Sequence, residues 1–165
     1  MSEAKRNEAI SHLIKKEKIM KVAVGCDHGG IVLKEAVVKA ISELGYEAED
    51  YGCYDNSSVD YPDYAEKVCR AILAGDAEKG VLLCGTGIGI SIAANKIDGI
   101  RCAHVTDNFS AQMSAEHNNA QIIAMGGRIT SPEDAYTFTK TFLTTKFAGG
   151  RHAMRVDKIM ALENK

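Results

Sequence analysis

The residues best suited to chemistry fall in four short stretches. The first is Cys84-Gly85-Thr86-Gly87-Ile88-Gly89-Ile90-Ser91. Closely spaced glycines let a backbone turn tightly and aim successive N–H groups at one point, forming an anion nest. A following helix N-terminus adds partial positive charge there. The same field would lower the pKa of a thiol at Cys84 from its reference of about 8.5, making it a base or a nucleophile. A buried structural cysteine beside a packing turn is the alternative. The run is not a dinucleotide fingerprint, because position 90 is Ile90 where glycine is required. It is not a P-loop, since no Gly-Lys-Ser/Thr follows, and it has no arginine to serve a cysteine phosphatase. A small anion or an oxyanion suits it better than a dinucleotide.

The second stretch is Cys26-Asp27-His28-Gly29-Gly30, where His28 could donate to an anion and Asp27 could face a ligand or cap a helix. The third is His117-Asn118-Asn119 at a helix end. Histidine suits proton transfer near neutrality, and at a helix C-terminus it equally suits the dipole. The fourth is Gly149-Gly150-Arg151-His152-Ala153-Met154-Arg155. Arg151 and Arg155 share one helix face and can clamp a phosphate or carboxylate, or form a solvated basic face with Lys158. Two cations at a helix start oppose the dipole, which favours the clamp. The five histidines, at 12, 28, 104, 117 and 152, show no metal-ligand spacing. A metal site is therefore poorly supported.

Strands alternating with helices must position these stretches. Strand patterns occur at 21–25, 46–51, 80–84, 100–105 and 121–125. Helices lie between them, with Gly45 as a stop, Pro62 in a first turn, Asp107 and Ser131 as N-caps, and a last helix over roughly 151–162. The pattern predicts a single α/β domain: a doubly wound, Rossmann-like or flavodoxin-like three-layer fold with a five-stranded parallel sheet. Ligands in such sheets bind beyond the carboxyl ends of the strands, near the switch in strand order. That places Cys26 to Gly30, the 52–61 loop, Cys84 to Gly89, Thr106-Asp107 and Gly126-Gly127-Arg128 at the crevice.

Composition agrees. The chain has 165 residues, 45% hydrophobic and 25% charged, which fits one domain. A net charge of −2 speaks against a nucleic-acid surface, and no apolar run is long enough to span a membrane. The five cysteines are odd in number and lack C-x-x-C spacing, which predicts a reducing, cytoplasmic setting. By strand alternation the Cys26 side chain points away from Asp27 and His28. Cys69 and Cys102 read as core, and Cys53 has no evident role. Residues 1–19 are a charged extension, read as a linker, a surface helix or an upstream start; the folded unit begins at residue 20 and runs to 165.

Gly25-Cys26-Asp27-His28, Asp60-Tyr61-Pro62, the stretch Cys84 to Lys96, His117-Asn118 and Gly149-Gly150-Arg151-His152 resemble the type B ribose-5-phosphate isomerases. That group also includes galactose-6-phosphate isomerase subunits. The resemblance runs in order from residue 20 to about 163. It implies interconversion of ribose 5-phosphate and ribulose 5-phosphate in the pentose phosphate pathway, without metal or organic cofactor. It implies Cys84 as the base between C2 and C1, Thr86 as its support, and His117 as the group that opens the furanose. The amides of Gly85, Gly87 and Gly89 would hold the enediolate oxygen. Asp27, Tyr61 and Asn118 would contact sugar oxygens, and His28, Arg128, Arg151 and Arg155 the phosphate. Some members carry a glutamate base at the position of Ile90; with Cys84 and Ile90, this chain resembles the cysteine subgroup. The family's site lies between two subunits, with the His117 and Arg128 counterparts supplied by the partner, so a homodimer, or a tetramer built from it, is implied. A six-carbon substrate, allose or galactose 6-phosphate, is the rival reading; the presence of His117-Asn118 favours ribose. A non-catalytic sugar-phosphate module on the same fold is a second rival.

Overall fold

The computed structural model describes residues 1–16 and 18–164. Helix α1 (Glu3–Lys16) is followed by β1 (Lys21–Cys26), a 3-10 turn at Ile31–Leu33, α2 (Lys34–Glu43) and β2 (Glu47–Asp50). Then come α3 (Tyr61–Leu73), β3 (Lys79–Cys84), α4 (Ile88–Asn95), β4 (Cys102–His104), α5 (Asn108–Glu116) and β5 (Ile122–Gly126). Helices α6 (Pro132–Thr144) and α7 (Arg151–Ala161) close the chain. Local chemistry sets many of these bounds. Asp107 Oδ1 accepts from the Ser110 N–H at 2.7 Å, and Ser131 Oγ accepts from the Asp134 N–H at 3.1 Å, so both helices begin on side-chain caps. Pro62 stands in the first turn of α3, where its missing N–H costs no hydrogen bond.

All five strands are parallel, in the order β2-β1-β3-β5-β4. Alternation along the strands separates two cores. Val22, Val24, Val81, Leu83, Ile123 and Met125 pack on one face against α2, α5 and α6. Ala23, Leu82, Ile122 and Ala124 pack on the other against α3 and α4. This is the expected three-layer, doubly wound α/β domain, and the order switches between β1 and β3.

The last two strands are exchanged relative to the simple flavodoxin-like order. Burial explains why. Strand β5, Ile-Ile-Ala-Met-Gly, is buried throughout and takes the interior position. Strand β4 is three residues long, with His104 exposed, and takes the edge. Strand β2, Glu-Ala-Glu-Asp, forms the other edge. Among the described residues no helix is long and apolar enough to cross a membrane.

Candidate active site

At the switch point the loops after β1, β3 and β5 are tied together by backbone hydrogen bonds. Asp27 N–H donates to the Leu83 carbonyl at 3.0 Å, Gly127 N–H to that of Cys84 at 2.8 Å, and Arg128 N–H to that of Gly85 at 2.9 Å. The result is a cleft of about 430 Å³ lined by Asp27, His28, Gly29, Tyr61, Arg128 and the loop from Cys84 to Gly89. Three other clefts are larger: one of about 620 Å³ lined only by Met1, Glu3, Arg6 and Asn7, and two of about 560 and 540 Å³ on the main domain. Of these two, the first is ringed by Glu47, Glu49, Asp76 and Glu78 and the second lies behind the β4 edge; none of the three gathers a nucleophile with an anion nest.

Cys84 ends β3 nearly buried, at 3% exposure. Its sulfur accepts the Gly87 N–H at 3.1 Å. Thr86 Oγ1 accepts the Ile88 N–H at 3.1 Å, a local turn that opens α4. Gly87 has φ +78°, and a Cβ there would sit 2.8 Å from the Met125 carbonyl carbon. Only glycine fits both the conformation and the space. At Gly89 a Cβ would lie 2.6 Å from the Tyr61 ring, so the tyrosine rests directly on the loop.

Asp27 is nearly buried, and its Oδ1 accepts the N–H groups of Gly29 at 2.8 Å and Gly30 at 3.0 Å. One oxygen thus builds the turn, while Oδ2 is not drawn into it. The two readings of Asp27, cap and ligand contact, are therefore compatible. His28 Nδ1 accepts the Val59 N–H at 3.2 Å. An accepting Nδ1 leaves the ring proton on Nε2, which becomes a donor. The Arg128 guanidinium lies against Gly85; a Cβ on that glycine would be 3.2 Å from its central carbon. The resemblance assigned Arg128 to a partner subunit. The structure instead places it in the cleft of its own chain, because the Gly126-Gly127 turn carries it back over the β3 loop.

A further residue belongs here that the sequence reading passed over. His104, at the end of β4, has Nε2 2.9 Å from the Thr86 carbonyl. A carbonyl only accepts, so Nε2 carries the proton and pins the loop. The available signal was its position at a strand's carboxyl end.

The other candidates lie elsewhere. His117 caps the C-terminus of α5, and its ring stacks on His152 with centroids 4.0 Å apart and planes inclined by 11°. Arg151 begins α7, and Arg155 follows one turn later. Burial, then the neighbouring charge of His117, Arg151 and Arg155, lowers the His152 pKa from its usual value. Arg101 holds the adjoining turn: its Nε donates to the Asn118 carbonyl at 3.0 Å and its Nη2 to that of Asn119 at 2.7 Å. This turn leads into Ile122, which pairs with Gly80, whereas Gly126 pairs with Cys84. The four intervening steps of strand amount to about 13 Å. Within one chain, the His117 group and the Cys84 cleft therefore lie at opposite ends of the sheet.

The cleft stands at the switch in strand order, where doubly wound enzymes bind their ligands. Residues 22–159 match the family described as Ribose/Galactose Isomerase. Ribose-5-phosphate isomerase B of Escherichia coli is 42% identical over 88% of this chain and 97% of its own. The structure of ribose-5-phosphate isomerase B from Clostridium thermocellum superposes with a TM-score of 0.85 at 47% identity, covering 88% of this chain and 98% of that one. The Mycoplasma genitalium ribose-5-phosphate isomerase B, solved with ribulose 5-phosphate, gives 0.83 at 31% identity, over 88% and 97%. The chain belongs to the ribose/galactose isomerase family of sugar-phosphate isomerases.

Proposed function

We propose that this chain interconverts ribose 5-phosphate and ribulose 5-phosphate, as a step of pentose phosphate metabolism in the cytoplasm, with Cys84 as the base. The observation that carries the reading is the Cys84 sulfur held against the Gly87 N–H inside the glycine nest. His117 takes the proton of the C1 hydroxyl and returns one to the ring oxygen, which opens the furanose. The Cys84 thiolate removes the proton on C2, leaving an enediolate. The amides of Gly85, Gly87 and Gly89 hold the developing negative oxygen; one such donor is worth about 2.7–4 kcal/mol in the transition state. Thr86 supports the thiol. The proton on O2 passes to O1, Cys84 delivers its proton to C1, and the C2 carbonyl forms. Asp27, Tyr61 and Asn118 hold sugar hydroxyls, and no metal or cofactor takes part.

The phosphate is held by His28 through Nε2, with Arg128, Arg151 and Arg155. Because the His117 and arginine group lies across the sheet from Cys84 in one chain, each site is completed by a second copy. A homodimer is the minimum unit, and pairing of dimers gives a tetramer.

The test is turnover of ribose 5-phosphate against allose 6-phosphate and galactose 6-phosphate, with chelator present. Preference for the pentose is expected, and chelation should change nothing. Cys84→Ala should lower kcat by about 10²–10⁴-fold while sugar-phosphate binding is kept. Near-normal turnover in that variant removes Cys84 as the base. Binding without isomerisation of any of these sugars would establish a non-catalytic module instead.

A further inference from the structure

Two cysteines outside the cleft stand close enough to react with each other. The sulfurs of Cys26 and Cys53 are 4.0 Å apart in the buried cluster under α2. Their backbones adjoin: Cys53 N–H donates to the Cys26 carbonyl at 2.7 Å, and Cys26 N–H to that of Gly52 at 2.6 Å. Segments joined in this way are about 5 Å apart, inside the range of about 4.4–6.8 Å between Cα atoms that a disulfide spans. Closing the sulfurs to about 2.05 Å takes side-chain rotation and little backbone movement. Cys84 is not part of this pair; it packs in the cluster on the other face of the sheet.

The two thiols differ in access. Cys26 is fully buried, and burial pushes its thiol up to about 12, against the opposing charge of Lys34. Cys53 is 4% exposed and borders the exposed stretch 54–58. The Lys34 ammonium donates to the Cys53 carbonyl and to Asp50 Oδ2, the latter at 3.0 Å, so a cation sits beside the pair. An oxidant arriving through the loop meets Cys53 first.

The position of the pair gives a cross-link leverage on the cleft. Cys26 immediately precedes Asp27 and His28. Cys53 begins the loop that ends in Val59, whose N–H holds His28 Nδ1, and in Tyr61. We infer that Cys26 and Cys53 form a reversible disulfide on exposure to hydrogen peroxide, and that this modification displaces the support of His28 and weakens phosphate binding.

The chemistry balances with peroxide as the oxidant. Hydrogen peroxide transfers one oxygen to the Cys53 sulfur, giving a sulfenic acid and water. The Cys26 sulfur then attacks the Cys53 sulfur; the S–O bond breaks, and the departing hydroxide takes the Cys26 proton as a second water. Two thiols lose two electrons, and one peroxide becomes two waters.

The experiment treats the reduced full-length protein with limiting hydrogen peroxide, then maps its peptides and measures binding of inorganic phosphate and of ribose 5-phosphate by calorimetry. The expected result is a Cys26–Cys53 cross-linked peptide, a several-fold loss of affinity, and recovery of both on adding dithiothreitol. Cys53→Ser should give no cross-link and keep its affinity through the same treatment; Cys26→Ala serves in the same way should that variant fold poorly. The inference is overturned by sulfinic acid at Cys53 with no cross-link, by a cross-link that leaves affinity unchanged, or by equal loss in the variants, which would assign the damage to Cys84. The weakened phosphate binding rests on the assignment of His28 under the proposed function. Cross-linking and phosphate binding are read without turnover, so a missing isomerase activity would count against that function and not against this modification.

Discussion

Mixing two disabled chains should regenerate an active enzyme. Cys84→Ala removes the proposed base, and His117→Ala removes the proposed ring-opening group. The two positions lie at opposite ends of the sheet, separated by the length of β5 from Ile122 to Gly126, about 13 Å. A proton-transfer group must reach its substrate at about 2.6–3.2 Å, so one chain cannot bring both to one pentose. If each site takes Cys84 from one copy and His117 from the other, a mixed dimer holds one intact site and one doubly defective site. Random pairing of equal amounts makes half the dimers mixed, and half of their sites work, so about a quarter of wild-type activity should return. The assay unfolds the two variants, refolds them together and separately, and follows ketose formation from ribose 5-phosphate. A mass tag on one variant lets native mass spectrometry count the mixed dimers. Activity equal to the mean of the separate preparations, with mixed dimers present, would falsify the shared site.

Three further outcomes follow from the same geometry. His117→Ala should lower kcat/KM for ribose 5-phosphate by about 10²-fold or more, yet spare erythrose 4-phosphate, whose O4 is esterified and cannot close a furanose; equal losses on both sugars argue against ring opening. Gly87→Ala forces a side chain into φ +78° at a cost of about 1–2 kcal/mol and against the Met125 backbone, so turnover should fall by about 10²–10³-fold as the loop amides move, and an unaffected kcat would refute the nest. The lowered pKa of His152 means that the unfolded chain takes up this proton first as pH drops. Its contribution is therefore neutral above about pH 6.5 and destabilising below it, and His152→Phe, keeping the stack, should flatten the decline of urea midpoint with falling pH in that window; an unchanged slope would discount the histidine cluster.

Periodicity made the layers legible. The alternation of Val22, Val24 and Cys26 against Ala23 is local, and so are the caps at Asp107 and Ser131. Strand order is not local. That β5 lies between β3 and β4 follows from the relative burial of whole strands, which becomes visible only once the sheet is assembled. The cleft residues from β1 and β3 were legible because each lies just beyond a strand's carboxyl end. His104 obeyed the same rule but was hidden among five scattered histidines. The Cys26–Cys53 approach was hidden because it depends on the β1–β2 pairing continuing past both strands. Alternation correctly turned Cys26 away from the cleft and could not say which residue it would meet.

The N-terminus of α7 breaks the local rules of helix stability. Its first turns carry Arg151, His152 and Arg155, where the helix dipole is positive, and no acidic residue stands in the first turn. His117 stacks on the same cluster from the end of α5, and the His152 pKa is lowered first by burial and then by these neighbouring charges. Natural sequences keep such conflicts where function requires them. A dianionic phosphate would reverse the sign of every one of these interactions, since helix N–H groups and paired guanidiniums both favour it. The glycine nest at Cys84 needs an anion for the same reason, but a smaller one, the enediolate oxygen. In the proposed shared site, a sugar phosphate held between His28 and Arg128 of one copy and the α7 arginines of a second would answer both demands at once. On this account the electrostatic strain at α7 belongs to the isolated chain, and substrate relieves it only in the assembled site.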